Sequence, residues 1–302
     1  MEISRMQFGR VSVLFGEKNG KYPDGNQVIV TGTDTKAVFD TPLSAHRFRT
    51  ELEGADLVLL GHVHEDHTCG LHLLPRARVL AHAEDVEAIR SFEGLRRHYG
   101  YRDAVFEKMK EKIQKQFSFQ LRPDAEAYQD GAVWELGGSR VRAVHLPGHT
   151  RGHSVLLVEP EGVAFLGDID LSGFGPYYGD GTSDLRQFQR TLERVRELEA
   201  SVWVTSHHKG VITDRETFLA LLAAFTAKIA QRERAILAAI GDGGRTLEEL
   251  VAQRFLYPPG YQDVYVEDAE RRTIQEHLTA LTTEGRILEE EGGRYRAGSG
   301  HA

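Results

Sequence analysis

The feature that most constrains this chain is the segment GHVHEDHTCG, which directly follows the apolar run DLVLL. It places three histidines and an aspartate, His62, His64, Asp66 and His67, at the carboxyl end of a predicted buried strand. Alpha/beta folds gather functional side chains at such strand ends. A tight loop can aim several imidazoles at one point, which suits zinc or iron. A chance surface cluster is the alternative in a chain with 14 histidines, but the position favours a metal site.

Three further candidate ligands follow apolar strands in the same way. His149 lies in LPGHTRGHS, Asp168 follows GVAFLG, and His207 follows SVWVTS. A single His or Asp at a strand end is more often a turn or cap residue. Four strand ends that each deliver a ligand-type residue nevertheless indicate one shared site. His208 is the alternative to His207, and the spacing from the strand favours His207.

Composition limits the class of protein. The chain has 302 residues, of which 40% are hydrophobic and 27% charged, as in soluble globular proteins with one large or two smaller domains. No apolar run is long enough to cross a bilayer, and the N-terminus lacks the order of a signal peptide, so we expect a cytoplasmic protein. Cys69 is the single cysteine, which excludes thiolate clusters. The net charge of −8 argues against general affinity for nucleic acid.

Short apolar, β-branched runs alternate with helical patterns, which is typical of a layered α/β fold. An amphipathic helix is predicted at SAHRFRTELEGA (44–55), and a capped helix is predicted to open at Ser183 or Asp184. The predicted strands are VSVLF (11–15), QVIVTG (27–32), AVFDTP (37–42), DLVLLGH (56–62), RVLAH (78–82), AVWEL (132–136), RVRAVHLPGH (140–149), HSVLLVE (153–159), GVAFLGD (162–168) and SVWVTSHH (201–208).

The pattern divides the chain into a catalytic domain and a smaller tail. Residues 1–215 carry the strands and the candidate ligands, with a helical insertion at about 84–125. A connecting helix is predicted over 216–240. Residues 241–302 predict two or three short helices and a hairpin that turns at EGG, which is typical of a small winged-helix unit.

The order of these motifs resembles the metallo-β-lactamase superfamily, particularly its glyoxalase II-like hydrolase branch, over about residues 10–215. The resemblance rests on HxHxDH, a PGHT-type His, the Asp of a GD pair and a late His. It implies a four-layer αββα fold with two metal ions, in which Asp40 supports the metal loops. The implied ligands are His62, His64 and His149 for one metal, Asp66, His67 and His207 for the other, and Asp168 as the bridge.

The implied chemistry is hydrolysis by a metal-bridging hydroxide. Two divalent ions are expected, with Zn²⁺ preferred and Fe or Mn as alternatives, and Asp66 can orient the hydroxide and accept its proton. Tyr177 and Tyr178 follow Asp168 in a glycine-rich loop and are candidates for oxyanion or substrate contact; packing tyrosines are the alternative. Leu171 stands where lactonase relatives have a tyrosine, which weakens a lactonase assignment.

Charge gives hints about the substrate. Residues 90–122 hold nine Lys and Arg against four Asp and Glu, which predicts a rim for an anionic thioester of coenzyme A or glutathione, or simply a solvated helix face. Residues 245–302 hold seven Arg against eleven Asp and Glu. That tail resembles the C-terminal unit of β-lactamase-like endoribonucleases, but its sign opposes nucleic-acid binding and favours a packing, homodimer or pocket role.

The leading hypothesis is therefore a cytoplasmic, metal-dependent hydrolase of a thioester or similar small ester, with a small-molecule substrate and no membrane contact. A metal-dependent endoribonuclease or other phosphodiesterase is the main alternative. The less favoured alternatives are a lactonase, an iron-dependent oxygenase and a non-catalytic binding protein.

Overall fold

The computed structural model describes residues 4–298 and contains sixteen strands in three sheets. The strands are β1 (Arg5–Phe8), β2 (Val11–Leu14), β3 (Gln27–Thr31), β4 (Lys36–Phe39), β5 (Leu57–Leu59), β6 (Arg78–His82), β7 (Glu126–Tyr128), β8 (Val133–Glu135), β9 (Arg140–His145), β10 (Ser154–Glu159), β11 (Val163–Phe165), β12 (Val202–Val204), β13 (Val211–Ile212), β14 (Arg245–Thr246), β15 (Ile287–Glu290) and β16 (Arg294–Ala297).

Eight α-helices accompany these strands within the described residues, together with short 3-10 turns. The helices are α1 (Arg49–Leu52), α2 (Val86–Arg90), α3 (Phe92–Tyr99), α4 (Asp103–Gln116), α5 (Leu185–Arg196), α6 (Arg215–Ile240), α7 (Leu247–Val251) and α8 (Val266–Thr283). No helix in residues 4–298 has the length and apolar character needed to cross a membrane.

Two large sheets face each other. The first holds β1 to β7 in chain order, and the second has the order β13-β12-β11-β10-β9-β8. Their facing sides share one buried core, in which Phe39 and Phe165 lie with ring centroids 5.8 Å apart. Helices α2, α3 and α4 pack on the outer side of the first sheet, and α5 and α6 pack on the outer side of the second. The protein therefore has helix, sheet, sheet and helix layers.

Both faces of the first sheet are covered, one by helices and the other by the second sheet, and this explains why its central strands are apolar throughout. In β5 all three residues are buried. Successive side chains of a strand point to opposite faces, so Leu57 and Leu59 enter the core between the sheets while Val58 packs under the helices. Because β5 has no polar face, it must be covered on both sides, and it lies inside the sheet between β4 and β6.

The ten predicted strands are confirmed, but one prediction about the helical segment needs correction. Residues 84–125 do form the helices α2, α3 and α4, yet β7 follows them and pairs in parallel with β6. The segment is thus the crossover between neighbouring parallel strands, not an insertion into a complete sheet. The predicted helix at 44–55 is reduced to a 3-10 turn and the one-turn helix α1. Strands β1, β7, β13 and β14 were not predicted, because β1 and β7 are largely exposed and β13 and β14 have two residues each.

The C-terminal unit has a core of its own. Its three-stranded sheet has the order β14-β16-β15. The core joins the end of α6 to α7, α8 and β15 through Ile240, Leu250, Ile274 and Ile287. The carboxylate of Asp268 in α8 accepts hydrogen bonds from the backbone N–H and Nε of Arg102, at 2.8 and 2.7 Å. The unit therefore packs directly against the start of α4.

We expect Leu156→Ala to destabilise the protein by about 2–5 kcal/mol, because it removes a fully buried side chain between the two sheets. Leu288→Ala is the matched control, since Leu288 is 53% exposed, and it should change stability by less than about 0.5 kcal/mol. Urea denaturation followed by circular dichroism measures both values. Equal effects would contradict the sandwich core.

Candidate metal centre

The seven predicted ligands converge at one edge of the sandwich. The loop after β5 and the 3-10 turn Glu65–His67 supply four of them, and the turn between β9 and β10 and the segments after β11 and β12 supply one each. Six are almost completely buried. The seven residues are His62, His64, Asp66, His67, His149, Asp168 and His207, of which Asp168 is the more accessible one.

Three imidazoles form the first cluster. His64 Nδ1 lies 3.1 Å from His62 Nε2 and 3.1 Å from His149 Nε2, and the latter two nitrogens are 3.3 Å apart. The ligand atoms of a tetrahedral zinc ion with bonds of about 2.0–2.1 Å lie about 3.3 Å from one another. The cluster therefore has the dimensions of a metal site.

A mixed cluster lies beside it. His207 Nε2 is 3.0 Å from Asp66 Oδ2 and 3.3 Å from His67 Nε2, and the distance from His67 Nε2 to Asp66 Oδ2 is 3.7 Å. Two nitrogens and one carboxylate oxygen thus face a common point. His208 lies outside this group, with its Nε2 3.7 Å from Asp170, so the geometry agrees with the choice of His207 over His208.

Asp168 stands between the clusters. Its Oδ1 is 2.9 Å from His67 Nε2, and its Oδ2 is 3.4 Å from His149 Nε2. One carboxylate oxygen therefore faces each group, as the bridging role requires. Among the described residues, no donor hydrogen-bonds to the buried Oδ1.

The outer nitrogens of four histidine rings donate hydrogen bonds, and these bonds show which nitrogen of each ring carries the proton. His64 Nε2 donates to Asp180 at 2.8 Å, His67 Nδ1 to Asp40 at 2.7 Å, His149 Nδ1 to the Tyr177 carbonyl at 2.9 Å and His207 Nδ1 to the Gly20 carbonyl at 2.9 Å. A neutral imidazole carries one N–H. The nitrogens that face one another consequently present lone pairs, and divalent metal ions fit such a donor set.

Asp40 lies behind the loop after β5, the loop that the resemblance expects it to support. Besides the hydrogen bond from His67, its Oδ1 accepts the Gly61 backbone N–H at 2.7 Å. One buried carboxylate thus fixes both the start of the loop after β5 and the orientation of His67.

Asp180 orients His64 in the same way, and no sequence motif marks it as a site residue. Its Oδ1 accepts the hydroxyls of Tyr101 at 2.6 Å and Tyr177 at 3.0 Å. Burial raises the pKa of Asp180, but the hydrogen bonds from His64 and Tyr101 outweigh it and the pKa is lowered. Burial likewise lowers the pKa of His64, and the bond to Asp180 reverses this and raises it to about 9. Asp180 therefore makes the His64 ring a stronger base, which would favour binding of a metal by its other nitrogen.

The two tyrosine candidates have different positions. Tyr177 lines the cavity, but its hydroxyl proton is donated to Asp180, so it supports His64 rather than offering that proton to an oxyanion. Tyr178 is fully buried and lies away from the cavity lining. Its hydroxyl is 2.8 Å from His277 Nε2 of α8, and burial lowers the pKa of His277 to about 3. The prediction of substrate contact by Tyr178 is corrected to a packing role.

The metal clusters open into a cavity of about 510 Å³. Its wall is strongly aromatic, and none of the Lys and Arg of residues 90–122 lines it. Most of those basic side chains are paired with carboxylates, as in Arg96 with Glu93 and Lys112 with Asp263. The predicted basic rim for an anionic thioester is therefore not found at the cavity. The aromatic lining comprises Tyr22, Tyr99, Tyr101, Phe174, Tyr177, Tyr257, Tyr261 and Tyr265.

The chain is similar to known proteins in sequence and fold. The sequence model of the Metallo-beta-lactamase superfamily matches residues 23–207. An atrochrysone carboxyl ACP thioesterase of Pseudocercospora fijiensis is 29% identical over 171 residues, which are 54% of this chain and 48% of that protein. Another, of Aspergillus novofumigatus, is 27% identical over 266 residues, or 80% of this chain and 70% of that one. The chain thus spans about half of the first relative and somewhat more of the second.

A solved structure matches more completely. The crystal structure of a metallo-beta-lactamase family protein of Thermus thermophilus has a TM-score of 0.67 and 27% sequence identity. The match covers 90% of this chain and 93% of that one. The similarity therefore includes the C-terminal unit as well as the sandwich.

We expect Asp180→Asn to weaken zinc binding about 10- to 100-fold, because His64 loses the charged partner that orients it. Asp34→Asn is the matched control, since Asp34 is exposed. Competition with a chromophoric chelator measures the affinity. Unchanged affinity in the Asp180 variant would show that the carboxylate does not support the ligand.

We expect Tyr178→Phe to leave catalytic activity within about twofold of the parent and to lower stability by about 1 kcal/mol, because it removes one buried hydrogen bond to His277. Initial rates and urea denaturation measure the two effects. A large fall in activity at unchanged stability would restore the catalytic role that the sequence suggested.

Proposed function

Because the chain belongs to the metallo-β-lactamase superfamily, we propose that it is a thioester hydrolase with a two-metal centre. The observation that carries the proposal is the pair of ligand clusters joined by Asp168 at the floor of the aromatic cavity. Relatives that are named ACP thioesterases support the type of bond. The proposed reaction is attack of water on the acyl carbonyl carbon, with release of the acid and the thiol.

The proposed ligands divide as the distances suggest. His62, His64 and His149 would hold one metal and Asp66, His67 and His207 the other, with an oxygen of Asp168 toward each. Such ions, when bound, supply Lewis acidity and lower the pKa of a bound water. The histidine-rich donor set suits zinc, and iron or manganese are compatible.

The chain's own groups position the reactants. Asp66 lines the cavity, which puts its carboxylate where it can accept a proton from the attacking water. Tyr101 and Tyr177 hold Asp180, and Asp180 holds His64. Because these hydrogen bonds hold the His64 ring in place, this side chain would not need to move during the reaction. The tyrosine rings exclude water from the side of the cavity that receives the acyl group.

The cavity favours a thioester whose acyl part enters and whose carrier remains outside. Lys21 is the one Lys or Arg among the described residues that line it, and its side chain is exposed; His208 also lines the cavity, but burial lowers the pKa of its imidazole. A whole anionic carrier would need several such contacts inside. This is consistent with the names of the relatives, which are carboxyl ACP thioesterases, and it gives less support to recognition of a complete coenzyme A or glutathione.

Charge in the C-terminal unit opposes the nuclease alternative. Most arginines of residues 245–302 are engaged with carboxylates, for example Arg271 with Glu248, Arg286 with Glu233 and Arg296 with Glu290. A phosphate-binding surface needs uncompensated positive charge. We therefore keep nucleic acid as the weaker alternative.

We also infer that the C-terminal unit is of the winged-helix type and acts in packing. The helices α7 and α8, followed by the hairpin of β15 and β16, support this topology. The contacts of α8 with the catalytic part, including Leu185 N–H to Glu276 at 2.8 Å and Tyr178 to His277, support the packing role.

The test is metal analysis followed by a substrate panel. We expect about two metal ions per chain by plasma mass spectrometry, hydrolysis of acyl thioesters, and loss of turnover after chelation that added Zn²⁺ restores. Asp168→Ala should abolish turnover and reduce the metal content, whereas Asp34→Asn should preserve both. Lactones, phosphodiesters and single-stranded RNA complete the panel. Cleavage of RNA without thioester turnover would overturn the proposal.

A further inference from the structure

We propose that the C-terminal unit completes a chamber for a planar aromatic acyl group, with Tyr257 as the specificity-determining residue and Glu270 as the residue that positions it. The inference rests on the proposed thioester hydrolysis only in taking the bound aromatic group as the acyl part of the substrate.

A row of nearly parallel rings runs from the metal centre to the C-terminal unit. The Tyr99 ring lies 5.8 Å from His64 at an interplanar angle of 6°, and 5.3 Å from Tyr101 at 23°. Tyr101 in turn lies 6.3 Å from Tyr265 at 9°. All three tyrosines line the cavity. One side of the chamber is thus built of flat surfaces with similar orientation.

The adjoining part of the wall comes from two loops, and Tyr257 contacts the row through Tyr265, with ring centroids 6.1 Å apart. Tyr257 and Tyr261 are parallel, with centroids 5.2 Å apart and an angle of 10°, and Phe174 lies 5.6 Å from Tyr257. Phe174 and Tyr261 are 37% and 39% exposed. Large exposed aromatic side chains at a cavity edge are typical of binding surfaces. These rings therefore form the entrance of the chamber.

Glu270 holds the loop that carries Tyr257. Its fully buried carboxylate accepts the backbone N–H groups of Phe255 at 3.0 Å, Leu256 at 3.0 Å and Tyr257 at 2.6 Å. A buried carboxylate is costly unless it is fully hydrogen-bonded. Here three donors compensate it and fix consecutive residues of the loop. The placement of Tyr257 therefore depends on a side chain that does not itself line the cavity.

The lining distinguishes an aromatic occupant from an aliphatic chain. No Leu, Ile or Val is found among the described residues that line the cavity, and Met109, Pro23 and Pro258 are its non-aromatic apolar members. Flexible acyl chains are matched by mobile aliphatic side chains, whereas flat rings gain about 0.5–1.5 kcal/mol from offset stacking or edge-to-face contacts beyond the area they bury. The wall fits a rigid, planar acyl group.

The first experiment compares two thioesters of N-acetylcysteamine, one with a 2-naphthoyl and one with an octanoyl group. We expect the intact protein to prefer the naphthoyl thioester in kcat/KM. Tyr257→Leu keeps an apolar side chain but removes the ring, and it should lower kcat/KM for naphthoyl about 3- to 10-fold with less than about a twofold change for octanoyl. Tyr295→Leu is the matched control in the same unit, away from the cavity, and should change neither value.

The variant Glu270→Gln tests whether Glu270 positions Tyr257. It should raise KM for the naphthoyl thioester while kcat stays within about twofold, because the loop loses a charged acceptor but the metal ligands keep their places. Thermal unfolding of each variant shows that it is folded under the assay conditions. If Glu270→Gln does not fold, Tyr257→Leu decides the question.

A binding measurement separates this inference from the hydrolase proposal. Calorimetric titration with 2-naphthoate and octanoate needs no turnover. If the protein hydrolyses no thioester but binds 2-naphthoate, and Tyr257→Leu weakens that binding, the hydrolase proposal fails and the chamber stands. If octanoate and the octanoyl thioester are preferred, or if Tyr257→Leu leaves the naphthoyl values unchanged, the chamber proposal is overturned.

Discussion

The structure depends on a set of lone pairs that are forced to face one another. Each of four ligand-type histidines commits its N–H to a fixed acceptor, as His64 does to Asp180 and His67 to Asp40. The remaining ring nitrogens then meet at 3.1–3.3 Å, a spacing at which acceptors without a cation repel. Hydrogen bonding behind the ligands, rather than the ligands alone, defines the centre.

The fold places these groups because β4, β5 and β6 are parallel, and so are β11 and β12. Their carboxyl ends therefore meet at one edge, where the loop that bears His62 faces the segments that bear Asp168 and His207. The apolar core between the sheets holds this edge in register. Strand ends that are far apart in sequence consequently become neighbours through the pairing of the strands.

The strands of the sandwich and the candidate ligands could be predicted from the sequence, because ligand-type residues directly follow recognisable apolar strands. The candidate ligands could be recognised because His and Asp residues recur directly after apolar strands. Asp180 was not, because it lies 116 residues from His64 and its glycine-rich surroundings look like an ordinary turn. Tyr177 and Tyr178 are adjacent in sequence, so no periodic signal could show that one faces the cavity and the other faces α8. Tyr257 lies in a loop whose conformation is set by Glu270, through a hydrogen-bond pattern that residue types do not reveal.

The contacts of α8 connect the two halves of the site. Its Glu270 fixes the loop of Tyr257, its His277 meets Tyr178 in the segment after Asp168, and its Glu276 accepts the N–H of Leu185 at the start of α5. One helix therefore contacts both the loop of Tyr257 at the aromatic entrance and the segment that follows Asp168. Acidic residues on this helix act as acceptors for backbone N–H groups of the catalytic part and of the loop. The negative charge of the tail, which argued against nucleic acid at the level of sequence, has a structural use in building the wall of the cavity.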